Sequence, residues 1–370
     1  MSSSRIIAAI ILGGVVITAH LALTKQAEWN GTISLEHLLT YTNRVLPNTS
    51  IPMKIPQTGI ATLDNYLAFM NSFFYISLDA RNVRAHWQGN HLIGTLSSIW
   101  IIMLLETHRT DRSALFTFMT YFLEFMGELL GIGLFTPIWC IVHMFMTSDK
   151  NAKRSLSSLS PLGFAILFGH VAPTLLMLRT KPDGEGLASQ QIWTIARLFH
   201  PIFVFVIYKV FSVAMGPSAS NSSGPASRRI FYMFSILASS FFHVSSLAYL
   251  LAPQSFPGWL NDGTVTALNP WKVLAPVPFW SESVVQKVDL ETGVAIFLQW
   301  DWMCSSAAIM IWAAALYSEI SAKTSRSGLE MLGQSLVFAI LAGPGAAAAF
   351  LMQEREAALQ AEEASEKKTQ

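Results

Sequence analysis

The chain has 370 residues, of which 52% are hydrophobic and 13% are charged, and its formal net charge is +1. An average soluble domain carries about a quarter charged residues, so this composition argues against an ordinary soluble fold. Because the net charge is near zero and no dense basic block occurs, nucleic acid is excluded as a partner. The two cysteines, Cys140 and Cys304, lie in apolar segments, so no disulfide framework is expected.

About nine apolar runs approach the length of a membrane-spanning helix, which is about 20 residues. They cover residues 6–23, 60–78, 91–106, 114–147, 161–178, 191–215, 230–252, 292–317 and 331–352. The fourth run is too long for one simple crossing, and Gly127, Gly131, Gly133 and Pro137 give it places to bend. We therefore predict an all-α polytopic membrane protein, a bundle of about eight or nine transmembrane helices.

The bundle is predicted to form one domain over residues 1–352. The remaining residues, 353–370, are rich in Glu and Lys and are expected to form a charged tail that is either a solvated helix or disordered. Most loops are short, and residues 216–227 form a Ser/Gly/Pro linker. The sequence therefore leaves no room for a separate soluble catalytic domain.

The distribution of basic residues predicts the orientation in the membrane, because short loops rich in Lys and Arg stay cytoplasmic. Such loops fall on the same side as Arg5, which places the loop after the first helix in the lumen. That loop carries two glycosylation sequons, at Asn30 and Asn48. A third sequon, at Asn221, falls on the cytoplasmic side and should stay unmodified. We predict a multi-pass integral protein of the endoplasmic reticulum.

Four carboxyl groups lie one turn or more inside the predicted spans, namely those of Asp64, Glu124, Glu128 and Asp301. Ionisable residues are costly in a bilayer and usually mark a function. The alternating direction of the helices puts all four in the same, lumenal half of the membrane, which favours one shared pocket. These four residues are the candidate catalytic acids. Hydrogen bonds between helices, which set packing alone, are the alternative role.

The spacing of the two glutamates carries a further expectation. Glu124 and Glu128 are four residues apart, so they share a helix face and cannot both ionise cheaply in a low dielectric. One of the two is therefore expected to be a neutral acid.

Aromatic and polar residues near the acids are the candidates for substrate binding. Trp300 and Trp302 flank Asp301, although adjacent residues on a helix point about 100° apart, so at most one can share its face closely. Asn71 and Tyr75 continue a thin polar stripe from Asp64. Tyr121 belongs to the same apolar run as the two glutamates and completes the set.

The chain has none of the common motifs for cofactors or metals. No GxSxG, Walker loop, GxGxxG or DDxxD occurs, and no HxxHH accompanies the His86/His91 pair. We therefore expect no metal site and no cofactor. A carboxylic acid kept neutral by an apolar site is a competent proton donor. Aromatic faces stabilise a carbocation by up to about 2 kcal/mol. The partners expected are a lipophilic small molecule and membrane lipid.

Several patches resemble one family of fungal polytopic membrane proteins. They are LDNYLAFMNSFF (63–74), LLGIGLFTPIWCIVHM (129–144), QIWTIARLFHPIFVFV (191–206), FLQWDWMCSSAAIMIW (297–312) and AGPGAAAAFLMQERE (342–356). The characterised members of this family are integral-membrane terpene cyclases of meroterpenoid pathways, of the ascofuranone and macrophorin type. The resemblance implies an enzyme that protonates a farnesyl chain or its epoxide and lets the polyene close into rings. Asp301 matches the intramembrane acid in kind.

Two other classes of function remain open at this point. A proton-coupled transporter would use the same carboxyls as a relay, and it predicts flux across vesicles. A structural membrane subunit would use them only for packing. A cyclase predicts instead an isomeric product formed from a lipophilic substrate without added metal.

Overall fold

The structure is a computed structural model that describes residues 2–34, 44–54, 58–109, 113–147, 159–179, 184–216, 225–256, 258, 260–280, 287–321 and 328–369. These residues form helices and no β-sheet, apart from an isolated bridge between Val45 and Pro52. The predicted all-α class is therefore confirmed for the described part of the chain.

Fourteen helices are described, and they are numbered here in chain order. They are α1 (Ser3–Trp29), α2 (Ala61–Leu78), α3 (Val83–Thr107), α4 (Ala114–Leu130), α5 (Ile132–Met146), α6 (Leu159–Leu178), α7 (Gly184–Leu198), α8 (His200–Met215), α9 (Pro225–Ser255), α10 (Asp262–Ala267), α11 (Pro270–Leu274), α12 (Leu290–Ser321), α13 (Gly328–Ala342) and α14 (Pro344–Thr369). Helices α1 and α6 each contain a short π-helical stretch, at His20–Lys25 and Leu167–Val171.

Among the described helices, four are long and apolar enough to cross a membrane: α1, α6, the Arg228–Pro253 part of α9 and the Leu290–Ile320 part of α12. A fifth crossing results if α7 and α8, which meet at a bend of 66°, form one broken span. The predicted eight or nine crossings are therefore not confirmed. One reason is that a break at Gly131 divides the fourth run into helices of 17 and 15 residues. Both are shorter than the about 20 residues of one straight crossing.

Helix α12 packs against α1, α3, α5 and α14. The main apolar cluster contains three fully buried tryptophans, Trp100, Trp139 and Trp312. The rings of Trp139 and Trp312 meet edge to face, with centroids 5.4 Å apart. Their indole N–H groups donate to Thr120 Oγ1 at 2.9 Å and to His143 Nδ1 at 3.1 Å. Buried tryptophans stabilise a core most when the N–H also has a partner, and both of these do.

Buried ion pairs join α3, α9 and α14. Glu106 accepts hydrogen bonds from Arg109 at 2.6 and 2.9 Å and from Arg355 at 3.4 Å. Glu356 pairs with Arg109 and, at 2.7 Å, with Arg228. Burial raises the pKa of Glu356, but the charge of Arg109 outweighs it and holds that pKa below its ordinary value. The network connects residues about 250 positions apart in the chain.

This network corrects the prediction for the C-terminal segment. Helix α14 runs through the expected boundary at residue 353 and continues to Thr369. Arg355 and Glu356, which belong to the expected tail, are only 3% and 4% exposed. Charged residues are rarely buried unless they are paired, and both find partners on helices far away in sequence. The first part of the segment is therefore packed into the bundle and is not a solvated tail.

The ion-pair network supplies a test of stability. We expect Arg109→Met to lower the free energy of unfolding by about 3 kcal/mol, because removing one partner of a buried pair leaves an uncompensated charge. Lys25→Met is the matched control, since Lys25 pairs with Glu28 at an exposed site. That change should stay within about 0.5 kcal/mol. Chemical unfolding of both variants in detergent micelles measures the difference. Equal stabilities would contradict the role given to the network.

The two predicted glycosylation sites differ in accessibility. The side chain of Asn30 is 2% exposed, and its Oδ1 accepts hydrogen bonds from the backbone N and Oγ1 of Thr32 at 3.0 and 2.6 Å. Asn48 is exposed in a turn, with φ at 57°. Asn221 lies outside the described residues. A glycan on Asn30 would disrupt this buried contact, whereas a glycan on Asn48 would project from the surface.

We therefore expect glycosylation at Asn48 and not at Asn30 when the chain is made in microsomes. Asn48→Gln should abolish the endoglycosidase-sensitive mass shift, and Asn30→Gln should leave it in place. The measurement also tests orientation, because only lumenal sequons are modified. A shift that survives Asn48→Gln and disappears with Asn221→Gln would invert the predicted topology.

Candidate functional site

A cavity of about 550 Å³ lies among α1, α2, α3, α7, α12 and the junction of α4 with α5. This volume is typical of small-molecule sites, which range from about 300 to 1,000 Å³. The lining is mainly apolar. Among the described residues, the charged side chains that line it are Glu128, Arg197 and Asp301. The site thus combines an apolar interior with few charged groups.

Asp301 lies on α12 and is 3% exposed. Its Oδ1 accepts a hydrogen bond of 2.6 Å from the backbone N–H of Gly133, in the first turn of α5. The first N–H groups of a helix have no partner within the helix, and the partial positive charge there favours an anion. The carboxyl group is therefore held at a place where negative charge is stabilised.

Two glycines make this approach of α5 to α12 possible. Gly131 has φ at 109°, a conformation that other residues rarely adopt, and it separates α4 from α5. A Cβ on Gly131 would lie 3.2 Å from Asp301 Oδ1, and one on Gly133 would lie 2.8 Å from the backbone O of Asp301. The predicted bend of the fourth apolar run thus occurs at Gly131 and directs the start of α5 at the acid.

Aromatic rings form one wall of the cavity. Phe73 on α2 meets Phe297 on α12 edge to face, with ring centroids 5.3 Å apart, and it meets Phe74 in the same way at 5.7 Å. Phe69 and Tyr66 continue the row along α2. The Tyr66 hydroxyl donates to the backbone O of Leu129 and is therefore engaged. The faces of such rings attract cations.

The other two charged residues of the lining, Glu128 and Arg197, form an ion pair. Arg197 Nη1 donates to Glu128 Oε2, and both residues are buried. The guanidinium also lies 5.0 Å from the centroid of the Trp100 ring. Glu128 Oε1 and Arg197 Nε have no hydrogen-bond partner among the described atoms. Both groups therefore retain capacity for a further contact.

Of the four candidate acids, Asp301 and Glu128 line this cavity and the other two do not. Glu124 is buried one turn before Glu128, and its Oε1 has no partner among the described atoms. Asp64 lies in the first turn of α2 and accepts hydrogen bonds from the N and Oγ1 of Thr58 at 2.9 and 2.6 Å. This local turn accounts for its position at the helix end.

The two tryptophans that flank Asp301 do not line the cavity. Trp300 donates its indole N–H to the backbone O of Val277 at 2.9 Å. Trp302 donates to Thr95 Oγ1 at 3.1 Å and lies against the ring of His91 at a centroid distance of 4.5 Å. The rotation of about 100° per residue explains why neither shares the face of the acid.

The other three candidates for substrate binding also lie outside the lining. Asn71 donates to the backbone O of Lys54 at 3.3 Å, and the hydroxyl of Tyr121 lies 2.9 Å from His108 Nε2. The hydroxyl of Tyr75 accepts from Arg81 at 2.7 Å. Arg81 also donates hydrogen bonds to Asp79. Burial raises the pKa of Asp79, but the hydrogen bonds and the charge of Arg81 lower it by more, so that pKa lies below its ordinary value. These polar groups thus serve contacts within and between loops and helices.

Arg197 and the row of phenylalanines are not among the residues predicted from the sequence. Arg197 could have been predicted, because a basic residue inside an apolar run indicates a function just as a buried carboxyl group does. Phe73 and Phe297 could not be distinguished from ordinary apolar residues, because their role depends on which helix faces meet. No group of three His, Cys, Asp or Glu residues within the described ranges is arranged to hold a metal ion.

Comparison with known proteins gives relatives over most of the chain. The terpene cyclase ascI of Acremonium egyptiacum is 24% identical over 313 residues, which is 81% of this chain and 78% of that protein. The terpene cyclase ctvD of Aspergillus terreus is 24% identical over 330 residues, 85% of this chain and 89% of that protein. The terpene cyclase janA of Penicillium janthinellum is 26% identical over 274 residues, 72% and 71% respectively. No solved structure matches the chain.

The domain match is more extensive than any of these pairwise comparisons. The CtvD domain covers residues 8–360, which include most of α1, every helix from α2 to α13 and all residues of the cavity. The resemblance to fungal terpene cyclases that the sequence patches indicate is confirmed. The chain belongs to the CtvD-domain family.

Proposed function

We propose that this protein is a membrane-bound terpene cyclase and that Asp301 starts the reaction by protonating a prenyl chain or its epoxide. The observation that carries the proposal is the position of Asp301, a buried carboxyl in a mainly apolar cavity, with one oxygen held by the N–H of Gly133. The relatives named as terpene cyclases support the class of reaction. The cavity volume of about 550 Å³ suits a farnesyl-sized substrate.

The hydrogen bond from Gly133 gives the two carboxyl oxygens of Asp301 different roles. Because Oδ1 accepts from the backbone, Oδ2 is the oxygen that carries the acidic proton in the neutral form. Transfer of this proton to an epoxide oxygen breaks a C–O bond and leaves a carbocation; transfer to an alkene forms a C–H bond with the same result. The carboxylate that remains is stabilised by the start of α5.

The aromatic wall then stabilises the positive charge as it moves along the chain. Phe73 and Phe297 present π-electrons without offering an atom that would capture the cation, and a cation–π contact contributes about 0.5–2 kcal/mol. The apolar lining keeps water away, which prevents early quenching. The bonds are rearranged within one molecule, so the product is an isomer of the substrate. Protonation by a side chain requires no metal or organic cofactor.

The proposal extends to the membrane. We propose four further crossings besides the four or five helices that are long enough to span: α2, α3, the α4–α5 pair as one crossing, and α13 with the first part of α14 as one crossing. The total would then be eight or nine crossings in the endoplasmic reticulum, with the cavity in the lumenal half. A lipophilic substrate would enter from the surrounding lipid. The secondary metabolism of fungi, to which the resemblance points, supplies prenylated aromatic compounds and terpenes of this kind.

The role of Asp301 is tested by a substitution that removes its acidic proton. We expect Asp301→Asn to fold but to lose about 10²-fold or more in turnover, the usual scale for a general acid. Asp301→Glu should keep part of the activity. Glu124→Gln is the matched control, because Glu124 is a buried carboxyl outside the cavity, and it should turn over like the wild type. The assay incubates microsomes and EDTA with farnesylated phenols, terpenes and their epoxides. Because the product has the same mass as its substrate, chromatography separates the isomers before mass spectrometry identifies them.

Two results would contradict this proposal. An Asp301→Asn protein that is unstable but fully active would assign the residue to packing. Proton-coupled flux of a solute into vesicles, with no isomer formed from any of the substrates, would favour a transporter.

The aromatic wall generates a separate prediction. We expect Phe297→Leu to lower turnover by about fivefold, which corresponds to loss of about 1 kcal/mol of cation–π stabilisation, and to release products with fewer rings. Phe118→Leu is the control, because Phe118 is 60% exposed on the outer surface of α4. An unchanged rate and product pattern for Phe297→Leu would contradict the role of the aromatic wall in stabilising the carbocation.

A further inference from the structure

The cavity holds two carboxyl groups, and their partners differ. Asp301 bonds the neutral backbone N–H of Gly133, whereas Glu128 bonds the permanently charged guanidinium of Arg197. We infer that Glu128 is the base that takes up the proton released at the end of the cyclisation, an assignment that rests on the proposed function. It gives the second carboxyl a role opposite to that of the first.

The ion pair makes Glu128 a proton acceptor and not a donor. An arginine is protonated at all accessible pH values, and a cation in contact with a carboxyl group favours its ionised form. Asp301 has no such contact among the described residues. In the proposed cycle, the proton therefore starts on Asp301, and Glu128 starts as the carboxylate.

The second oxygen of Glu128 is available to receive the proton. Its Oε2 accepts from Arg197, but its Oε1 is buried and has no hydrogen-bond partner among the described atoms. A buried carboxylate oxygen without a donor is costly, which indicates that a bound molecule completes the site. A carbocation, with its acidic neighbouring C–H bonds, is such a molecule.

Other polar groups near the cavity are less suited to this role. The hydroxyl of Tyr66 lines the cavity but already donates to the backbone O of Leu129. Glu124 is one turn away on α4 and does not line the cavity. In the described lining, Glu128 is thus the carboxyl that remains after Asp301 has been assigned.

The complete reaction balances between the two groups. The O–H bond of Asp301 breaks and its proton joins the substrate, and π-electrons of the chain then form the ring bonds. In the last step a C–H bond next to the cation breaks, its electron pair becomes a C=C bond, and the proton joins Oε1 of Glu128. A hydroxyl of the substrate that captures the cation would release its O–H proton to the same oxygen. Transfer of one proton from Glu128 back to Asp301 restores the starting state.

The test measures the ratio of products and not the rate alone, because a ratio is independent of the fraction of folded enzyme. We expect Glu128→Gln to consume substrate but to give at least about a tenfold larger share of double-bond isomers and water adducts. Since this change leaves Arg197 buried without its partner, the double variant Glu128→Met, Arg197→Met serves as a second test. Removal of a buried pair as a whole is often tolerated, and the same shift in products is expected.

The controls separate this inference from the proposed function. Glu124→Gln removes a buried carboxyl on the same helix and should give the wild-type ratio. Asp301→Asn should slow consumption by about 10²-fold or more, and full activity of that variant would refute the initiation step. The inference on Glu128 alone is overturned if both Glu128 variants give the wild-type ratio. It is also overturned if folded Glu128→Gln consumes no substrate, because Glu128 would then act at the start of the reaction.

Discussion

The contact between the start of α5 and the carboxyl group of Asp301 is the constraint on which the site depends. It requires that two helices approach closely enough for the Gly133 N–H to lie 2.6 Å from Oδ1. It also requires that the chain turn sharply at Gly131, where φ is 109° and a Cβ would meet Leu23, Asp301 and Phe297. Residues on both sides of this turn, among them Glu128 and Ile132, line the cavity. One local break in a helix thus holds the carboxyl group of Asp301 and supplies part of the cavity wall.

The bundle keeps its other buried charges apart from this pocket. Along α3, Gly89, Leu92, Ile93 and Leu96 line the cavity, whereas Glu106 lies in the ion-pair network. Ten residues of helix correspond to about 15 Å, so the network lies about that far along the same helix. On α12, Asp301 and Glu319 are separated in the same way, and Glu319 pairs with Arg5 of α1 at 2.6 Å. The ion pairs of Glu106 and Glu319 can therefore hold the helices together at a distance from the cavity, so that they bring neither water nor a cation into it.

The sequence predicted those features that depend on local pattern. The all-α class follows from the apolar runs, and the bend at 114–147 follows from its glycines. The cost of burying a carboxyl group indicated four candidates, of which Asp301 and Glu128 line the cavity. Features that depend on contacts between distant segments could not be predicted. The partners of Arg355 and Glu356 lie on α3 and α9, so their charges alone indicated a solvated tail. Trp300 and Trp302 looked like neighbours of the acid, but a helix directs consecutive side chains to different surroundings.

Two carboxyl groups in one cavity do not make a symmetrical pair, because the surroundings of a group decide which form it takes. A backbone N–H adjacent to Asp301 carries only a partial charge, so it tolerates the neutral acid and also stabilises the anion that forms when the proton leaves. The guanidinium next to Glu128 carries a full charge that a neutral acid would leave uncompensated. In the proposed reaction, the proton therefore leaves Asp301 and is taken up by Glu128, with α5 favouring the first step and Arg197 of α7 favouring the second.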